Sequence, residues 1–295
     1  MKKLSEPDNS KASFLLTDII KRKRNKDYAK RLTNYKNYII KRYCIYEQKK
    51  HKLENIGASK IMDEEDKDAI NSSFNKSFKE KMKTNELKKV YQECEGVCPY
   101  CGNEKIEEID HYIPEKDYPE FILYPNNLIP SCNKCNKKKS NTFIDSKHER
   151  QFINFYYDNI DNIGFLSVKI DFDPADIKKT TKVTYITDYS KIPDRYLRQI
   201  VEKHFIHLNL IHRYEDAASN EISELFEMLQ NQDNKNADHI KIIGDGVIRG
   251  HKNTRLKKMG QDDWKYLLYE ELIKIGYIDE LIKYVCNQES AKMVT

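Results

Sequence analysis

Apolar and aromatic residues recur every three to four positions through the first part of the chain. Between Leu15 and Tyr46 the recurring positions include Ile20, Leu32 and Ile39, and lysines and arginines fill the positions between them. This period matches one face of a helix, so it predicts one or two basic amphipathic helices. The stretch from Phe74 to Tyr91 predicts a further helix that leads into a cysteine-rich region.

The pattern changes in the second half of the chain. Two strand-like runs, Phe165 to Phe172 and Lys182 to Thr187, predict a small β element, and the second run alternates clearly between polar and apolar residues. Helical spacing then returns in three stretches, which are Tyr196 to Leu210, Tyr214 to Leu229, and Trp264 to Ile275. We therefore predict an α+β fold class in which most of the chain is helical.

Length and boundary signals divide the chain into three predicted regions. A chain of 295 residues accommodates one large domain or two to three smaller ones. We expect a basic helical N-terminal region (1–90), a central module (91–147), and a mainly helical C-terminal region (148–295) that selects the substrate or docks a partner. Apolar runs stay well short of the roughly 18 residues that a membrane span needs, so we expect a cytoplasmic protein without a membrane partner.

Positive charge is concentrated near the N-terminus. Charged residues make up 34% of the chain, yet the net charge is only +5. The first part of the chain, through Lys50, carries roughly ten more basic than acidic side chains. A local excess of this size favours a polyanion as partner.

Four of the seven cysteines form two C-x-x-C pairs, which are Cys98 with Cys101 and Cys132 with Cys135. In a reducing compartment such pairs are typical of metal sites rather than disulfides. Four thiolates with short spacing inside each pair and a long gap between the pairs suit tetrahedral Zn²⁺. We therefore predict a structural zinc site.

The segment between the two pairs predicts a strand, a loop, a strand and a helix. The first strand leads into Asp110 and His111, and Asn127 opens the second strand. On the helix, Asn136 flanks the zinc instead of joining it, and Lys139 lies one turn further along. Both side chains are expected to face Asp110 and His111.

These residues carry a resemblance to a known family. The segments CPYCG, IDHYIP and NLIPSCNKCNKKKSN, together spanning about Cys98 to Asn141, resemble the HNH endonucleases. The resemblance implies a central ββα-metal fold with a treble-clef zinc. The expected architecture is thus a mainly helical protein with this central module and a small additional β element.

The resemblance also implies roles for single residues. It places the general base on His111, an acidic metal ligand on Asp110, and an asparagine that orients the catalytic loop on Asn127. The final histidine of the family pattern is replaced here by Asn136, which is similar to the phage Holliday-junction endonuclease branch, where an asparagine at this position binds the metal. Flanking phosphates are expected to contact Lys137, Lys138 or Lys139, and helical spacing alone favours Lys139.

The oxygen ligands of Asp110 and Asn136 suit Mg²⁺, with Mn²⁺ as an alternative, better than a second zinc ion. The predicted function is metal-dependent hydrolysis of phosphodiester bonds in DNA, double-stranded in the first instance, in a context such as phage defence or restriction. Branched DNA and RNA remain open as substrates. Two other interpretations also remain: a zinc-dependent nucleic-acid-binding protein without catalysis, and a nuclease that is silent until a protein partner activates it.

Overall fold

The computed structural model describes residues 1–59, 62–232 and 236–292, with the side chains of 288–292 excepted. The described chain is mostly helical and contains two small antiparallel sheets, as predicted. The helices are α1 (Ala12–Arg22), α2 (Lys26–Gln48), α3 (Glu64–Asn71), α4 (Lys76–Thr84), α5 (Lys88–Cys94), α6 (Asn133–Lys139), α7 (Ile177–Thr180), α8 (Arg195–Leu208), α9 (Leu210–Gln230), α10 (Ala237–Met259), α11 (Trp264–Lys274) and α12 (Tyr277–Lys292). The strands are β1 (Glu108–His111), β2 (Leu128–Ser131), β3 (Leu166–Asp171) and β4 (Lys182–Thr187).

The chain divides into two compact units. One unit comprises Met1–Lys2, Ile160–Arg198 and Asn209–Thr295, and the other comprises Lys3–Asn159 and Gln199–Leu208. We call the second the zinc unit, because it contains all four cysteines of the predicted zinc site. In the described ranges, every helix is too short or too polar to cross a membrane.

In the zinc unit, the basic amphipathic stretch forms two helices. Helix α1 buries Leu15, Leu16 and Ile20, and it ends where Lys23 adopts an extended backbone. Helix α2 begins after Asn25, whose side chain accepts a hydrogen bond from the backbone N–H of Tyr28. An asparagine at this position satisfies a backbone donor that the first turn leaves unpaired, so the sequence itself sets the break between the helices.

Aromatic packing fixes α2 against the segment that joins β1 to β2. The ring of Tyr46 contacts Phe121 and Tyr124 edge to face, with centroids 5.1 Å apart in both pairs. Its hydroxyl donates a hydrogen bond to the carbonyl oxygen of Asn126 at 3.1 Å. A buried tyrosine that satisfies its hydroxyl in this way adds direction to an otherwise apolar contact.

The other unit contains the second sheet. Strands β3 and β4 pair from Leu166 with Thr187 to Asp171 with Lys182. Helix α10 of this unit is absent from the predicted elements, because its glycines dilute the apolar pattern. Gly244 nevertheless lies at a close approach, where a Cβ atom would stand 3.4 Å from Ile278 and 3.5 Å from Leu229.

Candidate active site and zinc centre

The four cysteines of the two C-x-x-C pairs converge. Their sulfur atoms all lie within 4.8 Å of one another, and all four residues are buried. The sulfurs of Cys101 and Cys132 are 4.0 Å apart. Four thiolates at ~2.3 Å from one Zn²⁺ would be separated by about 3.8 Å, so the donor set and its spacing fit a tetrahedral zinc site.

Local backbone structure positions each of the two cysteine pairs. The first pair lies in a tight turn, in which the N–H of Gly102 donates to the carbonyl of Cys98 at 2.8 Å. In the second pair, Cys132 is the N-cap of α6, and its sulfur accepts a hydrogen bond from the N–H of Cys135 at 3.3 Å. Hydrogen bonds to ligand sulfurs orient such ligands and tune their affinity for the metal.

The β1 and β2 strands pair antiparallel and lead into α6, in the predicted order of strand, loop, strand and helix. Their register places Glu108 opposite Ser131 and His111 opposite Leu128. Because side chains alternate along a strand, Glu108 and Asp110 share one face of β1. Helix α6 brings Asn136 and Lys139 to that same face.

Asp110 is buried and held by two donors. The hydroxyl of Tyr100 donates to its Oδ2 at 2.7 Å, and the ammonium of Lys139 donates to its Oδ1 at 3.2 Å. Burial raises the pKa of the Asp110 carboxyl, while the charge of Lys139 and both hydrogen bonds oppose that shift. A carboxylate offers about four acceptor positions, so two hydrogen bonds leave room for a metal ion.

Lys139 faces the first strand, as helical spacing indicated, but its predicted contact with a substrate phosphate needs correction. The side chain is only 1% exposed, and its ammonium also donates to the carbonyl oxygen of His111 at 2.7 Å. An ammonium enclosed by these partners has no free face for a phosphate. Its neighbours Lys137 and Lys138 are exposed.

His111 is held in a defined orientation by its neighbours. Its Nε2 lies 3.1 Å from the carbonyl oxygen of Ile122, and its ring lies 4.4 Å from that of Phe74. A carbonyl oxygen only accepts hydrogen bonds, so in the neutral ring Nε2 carries the proton and Nδ1 carries the lone pair. Burial, assisted by the charges of Lys139 and Lys79, lowers the pKa of His111 to about 3, so the ring is neutral at pH 7.

Asn136 donates a hydrogen bond to Glu108, a residue that the sequence analysis missed. Its amide donates to Oε2 of Glu108, whose Oε1 accepts a second bond from Asn133 at 2.8 Å. The alternation of Glu108 and Asp110 along β1 is the sequence signal that could have identified Glu108. Glu108, Asp110, His111 and Asn136 all line one cavity of about 370 Å³.

Asn127 lies outside this cavity and fastens the chain that follows His111. Its amide nitrogen donates to the carbonyl oxygens of Ile113 and Phe121 at 3.0 and 3.3 Å, and its Oδ1 accepts from the N–H of Ile113 at 2.8 Å. These three bonds tie both ends of the segment between His111 and Ile122. Asn127 therefore contacts the backbone that positions the imidazole.

Comparison with known proteins bears on the same residues. Residues 98–142 match the family model described as HNH endonuclease. This segment is an HNH endonuclease domain. The match begins at the first zinc-site cysteine and ends just beyond α6, so the HNH domain is the segment built around the zinc centre.

Two curated proteins are similar to the chain over a limited stretch. One is protein ea31 of Escherichia phage lambda, with 44% identity over 55 residues, which cover 18% of this chain and 19% of that protein. The other is Septu protein PtuB of Bacillus thuringiensis, with 39% identity over 57 residues, which cover 18% of this chain and 21% of that protein. The chain thus spans about a fifth of the length of these relatives. No solved structure matches the chain.

Proposed function

We propose that the protein is a metal-dependent endonuclease that hydrolyses phosphodiester bonds of DNA, with double-stranded DNA as the first substrate to test. The observation that carries this proposal is the convergence of His111, Asp110 and Asn136 on one cavity inside the HNH domain. A zinc-dependent binding module without catalysis would not need these three side chains together. The similarity to a Septu protein favours a role in phage defence.

In this proposal His111 is the general base. Its Nε2 is fixed on the Ile122 carbonyl, so the lone pair on Nδ1 accepts the proton of a water molecule as that water attacks phosphorus. The low pKa keeps this nitrogen unprotonated at neutral pH. Asn127 acts as a positioning residue, because it holds the backbone that follows the imidazole.

The oxygen atoms on this side of the cavity suit a hard cation. Asp110 and Asn136 would hold Mg²⁺, or Mn²⁺ in its place, and Glu108 adds a second carboxylate beside Asn136. When bound there, the ion stabilises charge on the phosphate and on the leaving oxygen. Lys139 and Tyr100 orient the Asp110 carboxyl and favour its ionised form against the rise in its pKa that burial causes, and the exposed Lys137 and Lys138 contact the flanking phosphates.

One observation favours the partner-activated form of the same enzyme. The carboxyl oxygen Oε2 of Glu115 lies 3.3 Å from Nδ1 of His111, where the attacking water would have to lie. Partial burial raises the pKa of this carboxyl, and its protonated form donates to the lone pair on Nδ1. Glu115 is 46% exposed, so it has room to move away. In this second candidate function, the nuclease is silent until a bound partner or substrate displaces Glu115.

Plasmid nicking with Mg²⁺ tests the proposal. We expect wild-type protein to nick supercoiled DNA and His111→Ala to lose about 100-fold or more of that rate, since a general base contributes at least this much. The matched control is His212→Ala, because that histidine is 64% exposed and lies in the other unit. Parallel reactions on branched DNA and RNA identify the substrate class.

Zinc content and circular dichroism of each variant must equal those of the wild type for the comparison to count. Equal nicking by wild type and His111→Ala would remove His111 from the mechanism. An inactive wild type together with an active Glu115→Ala variant would select the partner-activated form.

A further inference from the structure

The zinc unit contains a second and larger cavity, of about 640 Å³, which we call the basic pocket. It is lined by the link between α1 and α2 and by the link between α3 and α4. Its charged lining residues are Arg22, Lys23, Arg24, Lys81 and Asp18. Four cations against one carboxylate give the lining an excess of three positive charges, which suits an anionic ligand.

The ion pairs inside the pocket involve Asp18 and leave the ammonium of Lys23 without a carboxylate partner among the described residues. Asp18 is already shared between Arg22 at 2.7 Å and Lys81 at 3.4 Å. The ammonium of Lys23 instead donates to the hydroxyls of Ser72 and Ser73, at 2.7 and 2.6 Å. Among the described residues Lys23 has no carboxylate partner, and partial burial lowers the pKa of its amine. The ammonium also lies 5.7 Å from the ring centroid of Tyr28, so its neighbours are two hydroxyls and an aromatic face. A half-buried cation with neutral partners of this kind is favourable where an anion completes the site.

Two helix ends add to the positive potential of the pocket. Asn25 caps the first turn of α2 and Asn75 caps the first turn of α4, and both residues line the pocket. Helix N-termini carry partial positive charge and favour phosphate groups. Tyr28, which is also in the lining, offers a partly exposed aromatic ring that a nucleobase can contact.

One segment separates the basic pocket from the cavity of about 370 Å³ that His111, Asp110 and Asn136 line, which we call the catalytic cavity. Ser72, Ser73 and Asn75 line the basic pocket, whereas Phe74, between them in sequence, lines the catalytic cavity against His111. The two cavities therefore share a wall of a few residues. A polymer that fills one of them is in position to extend into the other.

We propose that the basic pocket binds the sugar-phosphate backbone of the DNA strand next to the scissile bond. The inference rests on the proposed function, since it takes DNA as the substrate. A DNA strand fits the observations better than a free nucleotide does, because the pocket borders the catalytic cavity and its cations are largely exposed, with Arg22 at 78%. Lys23, Ser72 and Ser73 would contact one phosphate, and Arg24 a neighbouring one.

The test measures binding without cleavage. A fluorescein-labelled 20-bp duplex is titrated with His111→Ala protein that also carries Lys23→Gln and Arg24→Gln. The matched control carries Lys21→Gln and Lys30→Gln, which remove the same charge from exposed positions outside the pocket lining. We call the Lys23→Gln and Arg24→Gln combination the pocket pair. Relative to His111→Ala alone, we expect the pocket pair to bind the duplex about tenfold more weakly and the slope of log K against log salt concentration to fall by about two in magnitude. The control should change clearly less in both quantities.

The outcomes separate this proposal from others. Equal losses for both pairs would mean that only general charge matters and would overturn the pocket. If the pocket pair loses binding of ATP, used as the free-nucleotide probe, but retains duplex affinity, the occupant is a free nucleotide and the strand proposal is wrong. Arg24→Gln alone, at an exposed position, repeats the test should the double variant melt at a lower temperature.

Failure of the nuclease proposal would look different. If the Lys23→Gln and Arg24→Gln protein binds DNA more weakly than the Lys21→Gln and Lys30→Gln control, and the wild type does not nick DNA, the pocket proposal stands and the nuclease proposal is wrong. If the wild type nicks DNA normally and the pocket pair binds the duplex as tightly as His111→Ala alone, only the pocket proposal is wrong.

Discussion

At the scale of single residues, the candidate site depends on side chains that orient others. His204 is fully buried, and its Nε2 donates to the carbonyl oxygen of Tyr100 at 2.7 Å. The Tyr100 hydroxyl in turn donates to Asp110. Through this chain of hydrogen bonds, the buried His204 supports Asp110 without lining the cavity.

We predict that Tyr100→Phe raises the Mg²⁺ concentration needed for half-maximal nicking by about tenfold or more. The substitution removes one donor from the Asp110 carboxylate, and loss of a hydrogen bond to a metal ligand typically lowers metal affinity by this amount. The measurement is nicking rate against Mg²⁺ concentration. Tyr185→Phe is the control, since that buried hydroxyl donates to Trp264 in the other unit. Identical Mg²⁺ curves for the two variants would contradict the role of Tyr100.

Motif spacing predicted that Asp110, His111 and Asn136 lie together, and they line one cavity, while the roles assigned to them stay predictions. It could not foresee the partners that each side chain finds in three dimensions. Lys139 was expected at a phosphate but is paired with Asp110, and Glu108 was overlooked although it meets Asn136. Burial decides the case of Lys139 and depends on packing that local spacing does not encode, whereas the alternation along β1 could have identified Glu108.

At the scale of elements, the zinc centre holds together pieces that are too short to be stable alone. Strands β1 and β2 have four residues each and α6 has seven. A two-stranded hairpin of this size is marginal in water, and so is an isolated helix of two turns. The four sulfurs join the turn at Cys98 and Cys101 to the start of α6, so zinc binding would supply folding energy to this module.

We therefore predict that Cys132→Ser loses zinc and stability together. Zinc content by mass spectrometry should fall from about one ion per chain, and the melting temperature should fall with it, because metal binding is coupled to folding. Cys44→Ser is the control, since Cys44 is exposed and lies outside the cluster. A zinc-free variant that melts like the wild type would contradict this account.

The periodicity of apolar residues predicted some helices and strands correctly and missed others. It found α1, α2, α8, α9 and α11 and both strands of the second sheet, because each of these has a regular buried face. The helix expected from Phe74 to Tyr91 is broken near Asn85 into α4 and α5. Gly244, Gly246 and Gly250 weaken the helical signal of α10, which tertiary contacts then stabilise in spite of local propensity.

At the scale of the whole molecule, one buried ion network joins distant parts of the zinc unit. Arg150 is 2% exposed, and its guanidinium makes a bidentate pair with Asp158 at 2.8 and 3.1 Å. The same group lies 3.3 Å from the carboxylate of Glu54 and donates to the hydroxyl of Tyr112. A single side chain thus connects Glu54 in the segment after α2, Tyr112 directly after His111, and Asp158.

We predict that Arg150→Gln lowers the free energy of unfolding of the zinc unit by about 3–5 kcal/mol. Removing one member of a buried ion pair leaves its partners charged and desolvated, and here two carboxylates would lose the same cation. Urea unfolding followed by circular dichroism measures the change, with Lys147→Gln as the control at an exposed position in the same loop. Equal stability of the two variants would mean that water reaches Asp158 and Glu54. In that case the network would not be what keeps the segment after His111 in place.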